Sequence, residues 1–169
     1  MLTPESSPVA IILINIAAWL VIHLGTGYII SLLPLSLFDP DSRWFSPGAF
    51  EGEGIFYERI FRVRAWKGIL PDGGNFFGNG FKKRALAEPG NPEYYRLFAR
   101  ETCRAEVSHI TGFFEAFLFF AWNHWTIALW MILYAVAFNI PCIIAQRFNR
   151  PRLKRMADLL EDRMGRAGR

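Results

Sequence analysis

Apolar positions in this chain gather into two long blocks, separated by a polar, aromatic-rich segment. The first block runs from Val9 to Ile30 and trails on through Leu32, Leu33, Leu35, Leu37 and Phe38, with no charged side chain beyond a titratable His23. At 1.5 Å per residue, about 20 apolar residues cover roughly 30 Å of hydrocarbon, so residues 9–30 predict a membrane-spanning helix. The run has no basic n-region and no A-x-A-like end, and it reads as a retained helix, not a secretory signal. The second block, Val107 to Phe148, is about twice a single span. Trp122-Asn123-His124-Trp125 divides it into a helical hairpin with arms at 105–121 and 126–146. Tryptophans on both sides of a short polar pair suit a membrane–water interface.

Between the blocks, residues 39–98 are rich in Gly, Pro and aromatics and carry no long periodic segment. Gly54–Lys67 mixes apolar and basic side chains, with Phe56, Ile60, Val63 and Lys67 at near-helical spacing. That composition suits a helix lying in the headgroup layer, and a strand or a soluble amphipathic turn fits it equally well. Leu70–Arg84 follows, with four glycines and then Lys82-Lys83-Arg84. Such a loop can hold an anionic headgroup or the phosphates of a nucleotide-like carrier, or simply lie beside an anionic membrane. Asn91 before Pro92 marks a helix start, Glu93 is favourable in its first turn, and the helix continues through Arg104 toward the second block.

Composition narrows the class. With 52 % hydrophobic and 16 % aromatic residues, the 169-residue chain falls outside the disordered class. Two cysteines cannot build a disulfide framework. A net charge of +4 gives no reason to expect a nucleic-acid partner, but it hides a lopsided distribution. All 19 Lys and Arg lie in Arg43–Arg104 and Arg147–Arg169, and the apolar segments Met1–Ser42 and Ala105–Gln146 have none. Basic residues near span ends mark the cytoplasmic face, and three spans put both basic segments on that side. The prediction is an all-α integral membrane protein of the cell membrane, a single membrane domain over residues 1–169. It has three transmembrane helices, a cytoplasmic or interfacial segment at 39–104 and a basic cytoplasmic tail at 147–169, with the N-terminus and the Asn123-His124 turn outside. A soluble helical domain leaves the charge segregation unexplained.

Candidate chemistry concentrates in Arg100-Glu101-Thr102-Cys103-Arg104-Ala105-Glu106-Val107-Ser108-His109. On a helix, Glu106 and His109 lie about 60° apart and Glu101 and His109 about 80° apart, while Glu101 and Arg104 are an (i, i+3) pair. Charge at the edge of hydrocarbon is expensive, so such groups pair or serve a reaction. A carboxylate beside an imidazole fixes its tautomer and raises its basicity, as a general base needs. The structural alternative is a solvated helix start held by intrahelical ion pairs. Span counting places His23 and Asn139 near the depth of His109, with Pro141 freeing a backbone carbonyl just beyond Asn139. Either residue could equally be an interhelical hydrogen bond. Glu106-x-x-His109 has the spacing of carboxylate di-metal bundles, but the second such pair they require is missing. A single zinc or iron ion on Glu101, Glu106, His109 and His23 is the metal alternative; otherwise no bound cofactor is expected. No serine-centred elbow occurs, and Cys103 reads as an inert helical thiol.

Three segments together resemble the bacterial glycosyl-4,4'-diaponeurosporenoate acyltransferase family of carotenoid biosynthesis. They are Arg62-Val-Arg-Ala-Trp-Lys67 with Leu70-Pro-Asp-Gly-Gly74, Glu101-Thr-Cys-Arg-Ala-Glu-x-x-His109, and Asn139-Ile-Pro141 with Gln146-Arg-Phe-Asn-Arg-Pro-Arg-Leu153. The resemblance implies a small membrane enzyme that moves a fatty acyl group from acyl-CoA or another acyl donor onto a sugar hydroxyl of a glycosylated carotenoid or similar membrane lipid. In that reading His109 is the base, oriented by Glu106, and Arg104, fixed by Glu101, stabilises negative charge. Trp66, Lys67 and Asp72, with Lys82–Arg84, receive the acyl carrier. His23 and Asn139 face the lipid-soluble acceptor, and Arg147 and Arg150 join the substrate-binding set. Two competing functions are a metal-dependent membrane hydrolase or peptidase using Glu101, Glu106, His109 and His23, and a non-catalytic lipid-binding membrane subunit. The sequence carries no signal of oligomeric state.

Overall fold

The computed structural model describes residues 7–70 and 88–167, which are helical with no strand. Five α-helices follow in order: α1 (Pro8–Leu32), α2 (Ile55–Phe61), α3 (Val63–Trp66), α4 (Pro92–Glu115) and α5 (Trp125–Ala167). Short 3-10 turns at Leu35–Leu37, Ala49–Gly54, Lys67–Ile69 and Ala116–Ala121 connect or extend them. Within the described residues, α1 and α5 are long and apolar enough to cross a membrane.

Boundaries differ from the expected ones for identifiable reasons. The helix start at Asn91 is as expected: the Asn91 side-chain oxygen accepts the Glu93 backbone N–H at 3.0 Å, and Pro92 occupies the first helical position, where no donor is needed. The second block's first arm is the end of this longer helix, and its final turns, Ala116–Ala121, tighten to 3-10. The 126–146 arm and the basic tail are one 43-residue helix. Gly54–Lys67 is helical, broken at Arg62, which sits in the left-handed region with φ 49°.

By compactness the chain divides into two units, and α4 and α5 contribute to both. The first unit extends up to Leu32 and includes Val107–Ile143. Its core is Trp19, Phe119, Ala116, Ala128 and Ala135, small residues that let helix backbones approach closely. Asn15 and Asn123 exchange hydrogen bonds of 3.1 and 2.8 Å at its buried turn, and Trp122 Nε1 donates to Asn15 Oδ1 at 3.1 Å. The apolar side chains of α1 point outward: Val9, Leu13, Ile16, Leu20, Val21 and Ile29 are all more than half exposed. Only 11 % of its most apolar window is buried, the opposite of a core helix in a soluble protein.

The second unit comprises Leu33–Glu106 and the chain from Ile144 onward. There Tyr94, Tyr95 and Phe98 of α4 pack on Leu153, Ala157 and Leu160 of α5. Arg96 grips Glu161 through two hydrogen bonds of 2.9 and 2.6 Å beside this seam. Phe148 of α5 is buried against Tyr57 and Val63, with Trp66 and Ile144 around them.

Candidate functional site

Within the first unit, His109 of α4 meets Asn139 of α5. His109 Nδ1 lies 3.0 Å from Asn139 Oδ1, and Asn139 Nδ2 donates to the Ala135 carbonyl at 3.0 Å. The second bond fixes which end of the amide faces the ring, so His109 must donate from Nδ1. In its neutral form the lone pair then resides on Nε2. Gly112, one turn along α4, brings bare backbone against this pair. A Cβ there would lie 3.2 Å from Asn139 Oδ1 and 3.5 Å from His23 Cε1. His23 of α1 stacks on Trp19 at 4.5 Å and on Phe138 at 5.7 Å, and its buried Nε2 has no hydrogen-bond partner among the described residues. Phe138 also lies 6.5 Å from the His109 ring. Glu115 is bonded to the Thr26 hydroxyl. The structure thus gathers His109, Asn139 and His23 as the sequence reading expects, and adds Gly112, Trp19 and Phe138.

The carboxylate expected to orient His109 is engaged elsewhere. Within the second unit, Glu106 is 1 % exposed in its side chain; one oxygen accepts Arg147 Nε at 2.6 Å and the other accepts Arg150 Nη2. Arg147 Nη1 continues to Glu51 at 2.7 Å. Arg150, also buried, donates to Thr102 Oγ1 at 3.0 Å and to the Phe45 carbonyl at 2.8 Å. Two guanidiniums and two carboxylates make this buried cluster neutral. Burial, then the Glu51 charge, pushes the Tyr57 hydroxyl up to about 12, and the phenol stays neutral beside Arg147 and Glu51. Glu51, Tyr57 and Thr102 were not singled out by sequence reading. Glu51 stands among glycines in an irregular turn, where spacing carries no signal of what it faces.

Other predicted residues of this unit have defined surroundings. Arg104 Nη1 bonds Glu101 at 3.0 Å, Nη2 bonds the Leu33 carbonyl at 3.1 Å, and the guanidinium lies over the Phe38 ring at 5.4 Å. Trp66 Nε1 donates to the Phe61 carbonyl at 2.7 Å, and Lys67 Nζ donates to Asn149 Oδ1 at 2.8 Å. Cys103 is fully buried, and burial pushes its thiol up to about 11, which leaves it unreactive at neutral pH. Asp72 and Lys82–Arg84 lie outside the described residues. Among the described residues, no three His, Cys, Asp or Glu side chains converge on a common point that could hold a metal ion. Of the four residues of the metal alternative, the two carboxylates are held by arginines: Glu101 by Arg104, and Glu106 by Arg147 and Arg150.

Comparison with known proteins bears on what this histidine-centred arrangement serves. No solved structure matches the chain. A Staphylococcus aureus (strain N315) protein named glycosyl-4,4'-diaponeurosporenoate acyltransferase is 30 % identical over 145 residues, covering 86 % of this chain and 87 % of that protein. A protein of the same name from Staphylococcus haemolyticus (strain JCSC1435) is 28 % identical over 142 residues, 84 % of this chain and 82 % of its own length. Residues 41–159, which include α4 and most of α5, match the family of that description. The chain belongs to the glycosyl-4,4'-diaponeurosporenoate acyltransferase family and is an acyltransferase.

Proposed function

We propose that the protein transfers a fatty acyl group onto a sugar hydroxyl of a glycosylated carotenoid or similar glycolipid, with His109 as general base. In this reading α1, residues 107–121 and α5 up to Gln146 span the membrane, the N-terminus lies outside, and residues 33–106 and the basic tail are cytoplasmic. The observation that carries it is the Asn139 contact at His109 Nδ1, which puts the lone pair on Nε2, the state a base requires. The acceptor hydroxyl attacks the carbonyl carbon of an acyl thioester while Nε2 takes its proton. The tetrahedral intermediate then collapses, the carbon–sulfur bond breaks, and the proton passes from the imidazolium to the departing thiolate. His23, whose ring Nε2 is buried without a partner among the described residues, supplies a hydrogen-bonding group for the acceptor in an otherwise aromatic wall.

Glu106, Arg147 and Arg150 are given a structural role in this reading, and Asn139 the orienting role expected of Glu106. Arg104 with Glu101 anchors the start of the first-block exit at Leu33. The test is acyl transfer by membranes carrying His109→Ala. Transfer should fall to background while membrane insertion and expression match the parent. Retained turnover would remove His109 as base, and the lipid products by mass spectrometry would report the acceptor independently.

A further inference from the structure

Among the described residues of the second unit, five cations are paired with carboxylates and the rest are not, and two of the unpaired ones share an aromatic ring. Arg96, Arg104, Arg147, Arg150 and Lys154 each have a carboxylate within ion-pair distance. Lys67, Arg64 and Arg152 have none. Lys67 Nζ lies 4.9 Å and Arg152 Cζ 3.6 Å from the centre of the same ring, Phe148. Arg64 is near enough to repel both, and among the described residues Glu58 is the carboxylate acting on the group. Burial, then the charges of Arg152 and Arg64, holds the Lys67 ammonium below the ordinary lysine range.

The backbone here is also shaped at a cost. Arg62, between α2 and α3, adopts a left-handed conformation that costs a side-chain-bearing residue roughly 1 kcal/mol or more. Beyond that turn Trp66 and Lys67 reach Phe148, and the Arg64 backbone N–H is held by Glu58 at 3.1 Å. Gly54, at φ +87°, clears the other approach: a Cβ would fall 2.7 Å from Arg152 Nη1 and 3.1 Å from the Phe148 carbonyl. Two half-buried positive charges on one aromatic ring, with the exposed Arg64 close enough to act on both, repel each other and gain only modestly from the ring. A dianionic ligand relieves that repulsion, and paired guanidinium and ammonium donors recognise phosphate oxygens well.

We propose that Lys67 and Arg152, gathered at Phe148, with Arg64 beside them form a binding site for a phosphate-bearing group: the phosphates of a soluble acyl carrier or the headgroup of an anionic phospholipid. The site rests on the acyl-transfer reading only for the identity of that carrier.

The test uses the full chain in phosphatidylcholine nanodiscs. Radiolabelled coenzyme A is titrated in one arm, and phosphatidylglycerol retained by the protein from mixed lipid is quantified by native mass spectrometry in the other. Lys67→Gln/Arg152→Gln should weaken whichever ligand binds by at least about tenfold, since charge-assisted hydrogen bonds contribute about 1.5–3 kcal/mol each. Loss confined to coenzyme A assigns the site to a soluble carrier; loss confined to phosphatidylglycerol assigns it to a headgroup. Identical behaviour of parent and variant toward both ligands overturns the site. Arg64→Gln, at an exposed side chain, repeats the test without burdening the fold, and Lys67→Arg should restore binding. His109→Ala should bind as the parent does, so failure of the catalytic reading and failure of this site are separate results.

Discussion

Gly112 shows how much of the site depends on a side chain that is absent. Its missing Cβ leaves the Asn139 amide room to face His109, with His23 on the same side. Alanine at this position improves helix propensity by roughly 1 kcal/mol, so Gly112→Ala should leave the melting temperature unchanged or slightly raised. The same methyl group sits 3.2 Å from Asn139 Oδ1 and must displace it by a few tenths of an ångström. Small misplacements of a catalytic group are costly, and kcat is expected to fall about tenfold with the donor KM unchanged. Steady-state kinetics beside a melting curve checks both halves; parental kcat in Gly112→Ala would show that the amide does not set the base. His109, Asn139 and His23 were legible in the sequence because polar side chains in apolar runs announce themselves. Gly112 was not, since a glycine in an apolar helix looks the same wherever it lies. Helical spacing likewise gives the angle between Glu106 and His109, but not the two arginines about 40 residues away that engage the carboxylate.

At the scale of elements, those arginines join α4 to α5 within the second unit. Glu106 is the one group that both Arg147 and Arg150 share, and all three are largely removed from water. Removing a single partner from such a pair leaves an uncompensated buried charge and typically costs about 3–5 kcal/mol. Glu106→Gln should therefore lower thermal stability in detergent substantially, with activity declining in proportion to the folded fraction. A variant that melts normally and yet loses turnover would return Glu106 to the catalytic role that its position three residues before His109 suggests. The start of α4 was readable because its cap is local, confined to Asn91, Pro92 and Glu93. The extent of α5 was not. Membrane reasoning stops a span at the first basic residue, Arg147, whereas the helix continues because Phe148, Arg150, Leu153 and Ala157 find partners in packing that no local pattern encodes.

Taken as a whole molecule, the chain poses a question of parity. Two helices are apolar enough to cross a membrane unaided, α1 and α5, and the arm between them is short. Residues 107–121 nevertheless gain length from the 3-10 turns at Ala116–Ala121, which rise about 2.0 Å per residue against 1.5 Å in an α-helix, giving roughly 25 Å in all. If that arm crosses, the basic tail lies on the same side as residues 33–106; if it does not, α5 carries the tail to the opposite side. The distribution of Lys and Arg favours the first arrangement, since all of them then face the cytoplasm. Single cysteines at Ser7, His124 and Arg163, in a chain with Cys103 and Cys142 replaced by alanine, separate the two outcomes. A membrane-impermeant maleimide should label Ser7→Cys and His124→Cys in intact cells and Arg163→Cys only after permeabilisation. Labelling at position 163 in intact cells would mean an even number of crossings. It would also break the packing of α5 from Ile144 onward against residues 33–106, in which Arg147 and Arg150 hold Glu106 and Ala157 meets Tyr94 and Phe98, so that packing is a second reason to expect an odd number of crossings.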